Sequence, residues 1–324
     1  MNGTKALVEV RGLCKYFPLS RGRVLKAVDE VDFRIRKGEV LGLVGESGCG
    51  KTTIGRLILN LLPSTSGEVE FEGMRLNGLP KDEMRKMRRK FQIVFQDPYA
   101  SLNPRMTIGD ILTFPMKVQD LYRGERERRA VSLLKRVGMR ASDMNRYPHE
   151  FSGGQLQRIG IARALVVDPE FIVADEPVSA LDVSIQSQVL NLFKELQEEF
   201  HLTMLFIAHD LSAVEFISDR IAVVYLGKIV EMAPSEVLYK AHRHPYTGNL
   251  LSAIPLPDPN IEQGKPPFAL KGEATSPIDP PPGCRFFSRC PSRKEVCSHE
   301  NPKPVEVAKD HFVACFQAFG DMKQ

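Results

Sequence analysis

Glycines at 45, 48 and 50 frame Glu46, Ser47 and Cys49 and lead directly into Lys51, Thr52 and Thr53. Glycines at these spacings let a backbone turn until successive N–H groups point inward at phosphate oxygens. A helix starting near Lys51 would aim its positive end, about half a unit charge, at the same place. Lys51 is placed to reach the β- and γ-phosphates, and Thr52 to offer its hydroxyl to Mg²⁺. The chemistry is nucleotide binding. Cys49 occupies a variable position of this loop and reads as a small tolerated side chain rather than a redox switch.

Two further groups could act on a phosphate. Asp175 and Glu176 follow the apolar run Phe171–Ala174. Carboxylates there emerge at the carboxyl edge of a parallel sheet, where ligands bind in open α/β folds. Asp175 can hold Mg²⁺ through water, and Glu176 can polarise an attacking water. Ser152, Gly153 and Gly154 precede a helix expected over Gln155–Val166, which makes a second anion-binding helix start. Cys284, Cys290, Cys297 and Cys315 crowd near the end of the chain, with 5, 6 and 17 residues between them, while Cys14 and Cys49 stand alone. In a reducing compartment such a cluster points to metal before disulfide. Four thiolates suffice for zinc or for an iron–sulfur cluster, although the closely spaced Cys pairs usual in structural zinc sites are absent. Either would staple a short, Pro-rich tail that has little apolar material of its own.

These residues need a scaffold, and the pattern supplies one. Val40–Val44, Phe171–Ala174 and Met204–Ile207 are continuous apolar runs, as strands buried on both faces are. Val31–Ile35 and Glu68–Phe71 alternate apolar and polar residues, as half-exposed strands do. Ile54, Leu57, Ile58, Leu61 and Leu62 keep a helical period, and so do Ile185, Val189, Leu192, Phe193 and Leu196. From Asp97 to Gln157 the pattern is largely helical (Ile108–Met116, Arg126–Val137), which predicts an inserted helical subdomain. After Leu250 the chain turns Pro-rich, at Ile254–Pro259, Lys265–Pro267 and Pro280–Pro282, before the cysteines. The expected organisation is a mixed α/β domain over residues 1–255 and a Pro-rich linker with a four-cysteine extension over 256–324.

Composition narrows the setting. The 324 residues are 43% hydrophobic and 26% charged, which is ordinary for a soluble globular protein. No apolar run approaches the roughly 18–20 residues that span a bilayer, and the first residues lack the layout of a secretory signal. A cytosolic chain, reaching a membrane only through partners, is expected. A net charge of +4 is too mild to argue for nucleic acid. The dense run Arg85–Lys90 reads as a solvated helix face.

With these residues in place, the chain resembles the ATP-binding cassette family over residues 1 to about 255. The signature is Phe151, Ser152, Gly153, Gly154 and Gln155, where the family usually begins with Leu; the change keeps an apolar side chain. The resemblance implies that Ser152, Gly153 and Gly154 contact the γ-phosphate held by the other subunit's phosphate loop. It implies that Gln96 touches Mg²⁺ and water and relays nucleotide state to the membrane partner. Ser179–Asp182 would cross the dimer interface, His209 would be the switch histidine on the γ-phosphate, and Phe17, or alternatively Tyr16, would stack on adenine. The implied fold is α/β: a P-loop NTPase with a RecA-like core, an antiparallel β-subdomain and an inserted α-helical subdomain, plus a small cysteine-containing extension.

A closer resemblance covers almost the whole chain. Gln96–Pro104, Asp175–Gln186 and His244–Leu251 are similar to the ATPase subunits of dipeptide and oligopeptide importers, and Asp97–Ser101 with Gly55 and Arg56 favour their F-type member. That family implies ATP and Mg²⁺, a heterodimer with a D-type ATPase subunit, two integral-membrane permeases and an extracytoplasmic substrate-binding protein. It places the subunit peripherally on the cytoplasmic face of the cell membrane, with no nucleic acid. It also implies a [4Fe-4S] cluster on Cys284, Cys290, Cys297 and Cys315, with zinc, or unliganded or disulfide-bonded cysteines, as the alternatives. Nickel and other small-solute importers share this subunit type, so cargo is open. The rivals are a soluble cassette protein of ribosomes or DNA and an iron–sulfur regulator. The first is disfavoured by a single cassette with only about 124 residues from Lys51 to Asp175.

Overall fold

The computed structural model describes residues 6–253 and 276–318. The expected boundary at 255/256 and the Pro-rich stretches Ile254–Pro259 and Lys265–Pro267 lie outside the described residues. The chain divides into two units. One takes in Ile35–Val40 and Gly78–Ile207, and the other Val8–Arg34, Leu41–Asn77 and the described residues from Ala208 onward.

In the first unit, strands Phe91–Val94, Phe171–Asp175 and Thr203–Ile207 run parallel in that order. Their register sets Val94 beside Ala174 and Asp175 beside Ile207. Phe171–Asp175 and Thr203–Ile207 are buried along their whole length, as continuous apolar runs require. Helix Val183–Phe200 turns Val189, Leu192, Phe193 and Leu196 inward, and Phe193 packs edge-on against Phe206. Between Phe91–Val94 and Phe171–Asp175 the chain is helical, with helices Pro98–Ser101, Ile108–Val118, Arg126–Arg136 and Gly153–Leu165 and two short 3-10 turns. Helix Lys81–Lys90 buries Met84 and Met87 and leaves Arg85, Lys86, Arg88 and Arg89 exposed.

The second unit holds an antiparallel sheet of Val24–Arg36, Ala6–Pro18, Ser66–Phe71 and Met74–Arg75, in that order, with Val8 opposite Phe71 and Val10 opposite Val69. It also holds Val40–Val44, parallel to Arg220–Tyr225. Arg220–Tyr225 then pairs antiparallel with Lys228–Pro234. The extension adds to this edge: His311–Val313 pairs with Lys228–Pro234, and Val305–Ala308 pairs with His311–Val313.

One helix is shorter than its period. The helix from Lys51 ends at Ile58, although Leu61 and Leu62 continue the apolar spacing. Asn60 takes a left-handed conformation at φ 49°, the N–H of Leu61 bonds back to the Arg56 carbonyl, and Leu61 is left half-exposed. Asn is among the few residues that accept this conformation cheaply, so the helix stops there.

Candidate functional site

The phosphate loop lies in the second unit, between strand Val40–Val44 and helix Lys51–Ile58. Lys51 is buried, and its ammonium donates to the carbonyls of Gly45 at 2.8 Å and Glu46 at 3.0 Å. The backbone thus folds around this cation. Gly50 caps the helix at φ 112°, and a Cβ there would collide with the Ala27 carbonyl, so both dihedral and space demand glycine. Cys49 is 2% exposed, and burial pushes its thiol pKa up; it is a packed neutral side chain. Ser47 and Gly48 are exposed, and Thr52 and Thr53 half-buried at the helix start.

His209 is also in this unit. It follows Ala208, whose N–H bonds to the Leu43 carbonyl. It is exposed, and Asp210 caps the next helix by accepting from the Ser212 N–H at 2.9 Å. Of the two aromatic candidates, Tyr16 donates its hydroxyl to Asp29, with the Lys26 ammonium 5.3 Å from its ring centroid. Phe17 is half-buried, with the Lys15 ammonium 5.0 Å from its ring centroid.

The acid pair and the signature lie in the first unit. Asp175 is buried at the end of its strand. Glu176 turns the chain at φ 47°, an uncommon conformation for a non-glycine residue, and its N–H bonds to the Ile207 carbonyl at 2.9 Å. Gln96 Nε2 donates to Glu176 Oε2 at 3.2 Å. Ser179 Oγ donates to the Glu176 carbonyl at 3.0 Å, and Asp182 sits exposed at the cap of helix Val183–Phe200.

Ser152 caps helix Gly153–Leu165 in a reciprocal box. Its Oγ accepts from the Gln155 N–H at 3.4 Å, and Gln155 Oε1 accepts from the Ser152 N–H at 3.0 Å. Such caps are worth about 1 kcal/mol. A Cβ on Gly154 would meet Ile185 Cγ2 at 2.5 Å, so this turn packs against helix Val183–Phe200. Phe151 is buried beneath the Arg146 guanidinium, 4.3 Å from its ring centroid. Ser152 and Gln155 face solvent.

Sequence reasoning missed what the extension does. Phe286 is 1% exposed, packed against Tyr225 at 5.3 Å and Tyr246 at 5.5 Å between ring centroids. The tail is therefore anchored by an aromatic cluster shared with Tyr225 and Tyr246 and by sheet pairing. Arg285 pairs with Asp29, the same carboxylate that holds Tyr16, and both are nearly buried. Breaking a buried pair of this kind by removing one partner costs roughly 3–5 kcal/mol. Arg289 reaches Glu46 of the phosphate loop. The one signal was the interleaving of Arg and Phe with cysteine from Cys284 to Cys290.

The four tail cysteines are free thiols; Cys297 is buried and the others half-buried. The Cys284 N–H bonds to the Cys297 carbonyl at 2.8 Å. Burial, with the other three thiols adding, pushes Cys284 up to about 11. Burial also raises Cys290 and Cys315. Among the described residues no three His, Cys, Asp or Glu side chains are grouped to hold a metal, so neither the iron–sulfur expectation nor its zinc alternative gains support here. No helix among them is long and apolar enough to cross a membrane.

A phosphate loop after a buried strand, an acid pair ending a parallel strand and a Ser-Gly-Gly helix cap together define a P-loop NTPase of the cassette type. Residues 28–179 match the family model described as ABC transporter, and residues 230–297 match that of the oligopeptide/dipeptide transporter C-terminal region. The chain is 50% identical to the oligopeptide transport ATP-binding protein AppF of Bacillus subtilis, over 96% of this chain and 97% of that protein. It is 48% identical to the oligopeptide transport ATP-binding protein OppF of Escherichia coli, over 97% of each. Among solved structures it resembles the dimeric bacterial ABC transporter cassette MJ0796, with 31% identity, TM-score 0.65, and coverage of 70% of this chain and 98% of that one. The same cassette in a dimeric post-hydrolysis state bound to ADP and Pi gives 32% identity, TM-score 0.64, and coverage of 70% and 98%. The chain belongs to the ATP-binding cassette family, among the ATPases of oligopeptide and dipeptide transporters.

Proposed function

We propose that this chain is the ATP-hydrolysing subunit of an importer of dipeptides or oligopeptides. The observation that carries the reading is the joint presence, in one chain, of a phosphate loop with Lys51 buried in its backbone and an exposed, capped Ser152 signature turn. A cassette that carries both a phosphate loop and an anion-binding turn is suited to sharing nucleotide with a second cassette. The relative solved with ADP and Pi is itself dimeric.

In this reading Lys51 and the loop N–H groups bind the β- and γ-phosphates of ATP, and Phe17, rather than the inward-tied Tyr16, stacks on adenine. Thr52, Gln96 and Asp175 would hold Mg²⁺, which supplies charge neutralisation of the phosphates. Glu176 orients the attacking water as general base, with Gln96 holding its carboxylate. His209 contacts the γ-phosphate. Ser152, Gly153, Gly154 and Asp182 serve the nucleotide of the partner, a D-type subunit. Two unit charges at about 4 Å interact by roughly 4 kcal/mol at an effective dielectric of 20, so the γ-phosphate is a large contributor to such an interface. Its hydrolysis opens the dimer, and the change passes to two permeases that dock this peripheral subunit at the cytoplasmic face of the membrane.

The tail reading is finer. We propose that Cys284, Cys290, Cys297 and Cys315, four cysteines in one short segment, supply the four thiolates that a [4Fe-4S] cluster takes. Such a group would tie Cys284, Cys290, Cys297 and Cys315 together and fix the tail. Anaerobic purification followed by iron and sulfide analysis tests it, and iron-free protein with a colourless spectrum sinks it.

The function is tested by reconstituting the chain with its permeases and partner ATPase in vesicles. ATP hydrolysis stimulated by peptide-loaded binding protein is the expected result. Hydrolysis indifferent to permeases and peptide would overturn the reading, and stimulation by nickel instead of peptide would redirect the cargo.

A further inference from the structure

The segment carrying Cys284 and Cys290 closes onto the phosphate loop through one side chain. Arg289 Nη1 lies 3.0 Å from both carboxylate oxygens of Glu46 and 3.5 Å from the Tyr225 hydroxyl. Its guanidinium also sits 5.9 Å from the Tyr225 ring centroid. The side chain is only 10% exposed, against 38% for Glu46. Among the described residues its Nε is buried without a hydrogen-bond partner, which costs stability. What offsets that cost is made at Nη1, which holds the Glu46 carboxylate and the Tyr225 hydroxyl.

Glu46 is tied at every polar group. Its N–H donates to the Tyr246 hydroxyl at 3.0 Å, its carbonyl accepts from Lys51, and its carboxylate accepts from Arg289. Tyr246 and Tyr225 in turn pack on Phe286, whose carbonyl accepts the Arg289 N–H at 3.1 Å. One cluster thus holds both the backbone and the side chain of a residue inside the phosphate loop. The electrostatic need is plain. Glu46 places a negative charge on a loop built to receive a triphosphate, and like charges at close range repel. A guanidinium on the same carboxylate cancels that charge and fixes its direction.

We propose that Arg289 is a positioning residue for nucleotide binding. It neutralises and orients Glu46 so that the loop stays open to ATP, and the cysteine-bearing segment is its mount. The proposal rests on the reading that this loop binds ATP. It makes nucleotide affinity depend on a residue more than two hundred positions away from Lys51.

The test uses the full-length chain and equilibrium titration with a fluorescent ATP analogue in the presence of Mg²⁺, alongside thermal unfolding. Arg289→Gln is expected to weaken binding on the order of tenfold, and Arg289→Lys to recover most of that loss. The decisive variant adds Glu46→Gln to Arg289→Gln. Removing the uncompensated carboxylate is expected to restore affinity to within about threefold of the parent. In the assembled transporter, Arg289→Gln is expected to raise KM for ATP while kcat changes by less than about twofold. An Arg289→Gln variant that binds within about twofold of the parent overturns the proposal, and so does a double variant no better than the single one. A parent chain that binds no ATP overturns the functional reading itself, whereas a binding parent with an indifferent Arg289→Gln removes only this inference.

Discussion

Gln96 Nε2 donates to Glu176 Oε2 across 3.2 Å, joining the loop after strand Phe91–Val94 to the residue after strand Phe171–Asp175. The two strands run in register, so the bond follows from the sheet. A carboxylate held this way is fixed in direction. Glu176→Gln is expected to lower hydrolysis by roughly 10²–10⁴-fold, the usual contribution of a general base, while ATP binding persists. Single-turnover hydrolysis and gel filtration with ATP check it. The variant should elute as an ATP-stabilised dimer, and undiminished turnover would refute the assignment.

Gly50 offers a backbone test of the phosphate loop. At φ 112°, with the Ala27 carbonyl in the way of any Cβ, alanine must move either the loop or strand Val24–Arg36. Backbone strain of this kind costs about 1–3 kcal/mol, so Gly50→Ala should weaken ATP binding on the order of 10–100-fold. Titration against Lys51→Ala as the floor measures it.

His244 makes stability fall in mild acid. It is buried, its Nδ1 accepts from the Tyr246 N–H at 3.1 Å, and burial pulls its pKa from 6.5 down to about 4, against the opposing pull of Glu231. Because the unfolded state binds the proton first, stability is full above pH 6.5 and declines towards pH 4, by about 3 kcal/mol if His244 acted alone. Burial alone would raise Glu231, but its bonds to His311 and to the N–H groups of Arg243 and His244 win and hold it low. Its contribution is therefore lost only further into acid, below the ordinary carboxylate range. Urea midpoints between pH 7 and 4.5 should fall, and His244→Asn, which can still cap the helix, should flatten that slope.

The phosphate loop, the acid pair and the signature were legible because each is local: a glycine spacing, a run of four apolar residues, a capped helix start. The alternation of strands and helices was legible for the same reason. The helix end at Ile58 was not, because Leu61 and Leu62 prolong the period and only the left-handed Asn60 breaks it. The placement of Phe286, Arg285 and Arg289 was not legible either. Their partners Tyr225, Asp29 and Glu46 are set by tertiary packing, across as many as 256 positions in the case of Arg285 and Asp29. No periodicity encodes a contact at that range.

Ser152 decides whether nucleotide is shared between two cassettes. The measurement is ATP hydrolysis by the reconstituted transporter carrying Ser152→Phe, paired with ATP affinity of the isolated variant. Because Ser152 is exposed at a helix cap, the isolated chain should bind ATP as the parent does, while turnover in the assembled transporter drops on the order of a hundredfold. Full turnover by the variant, or equal turnover by a strictly monomeric preparation, would contradict the account.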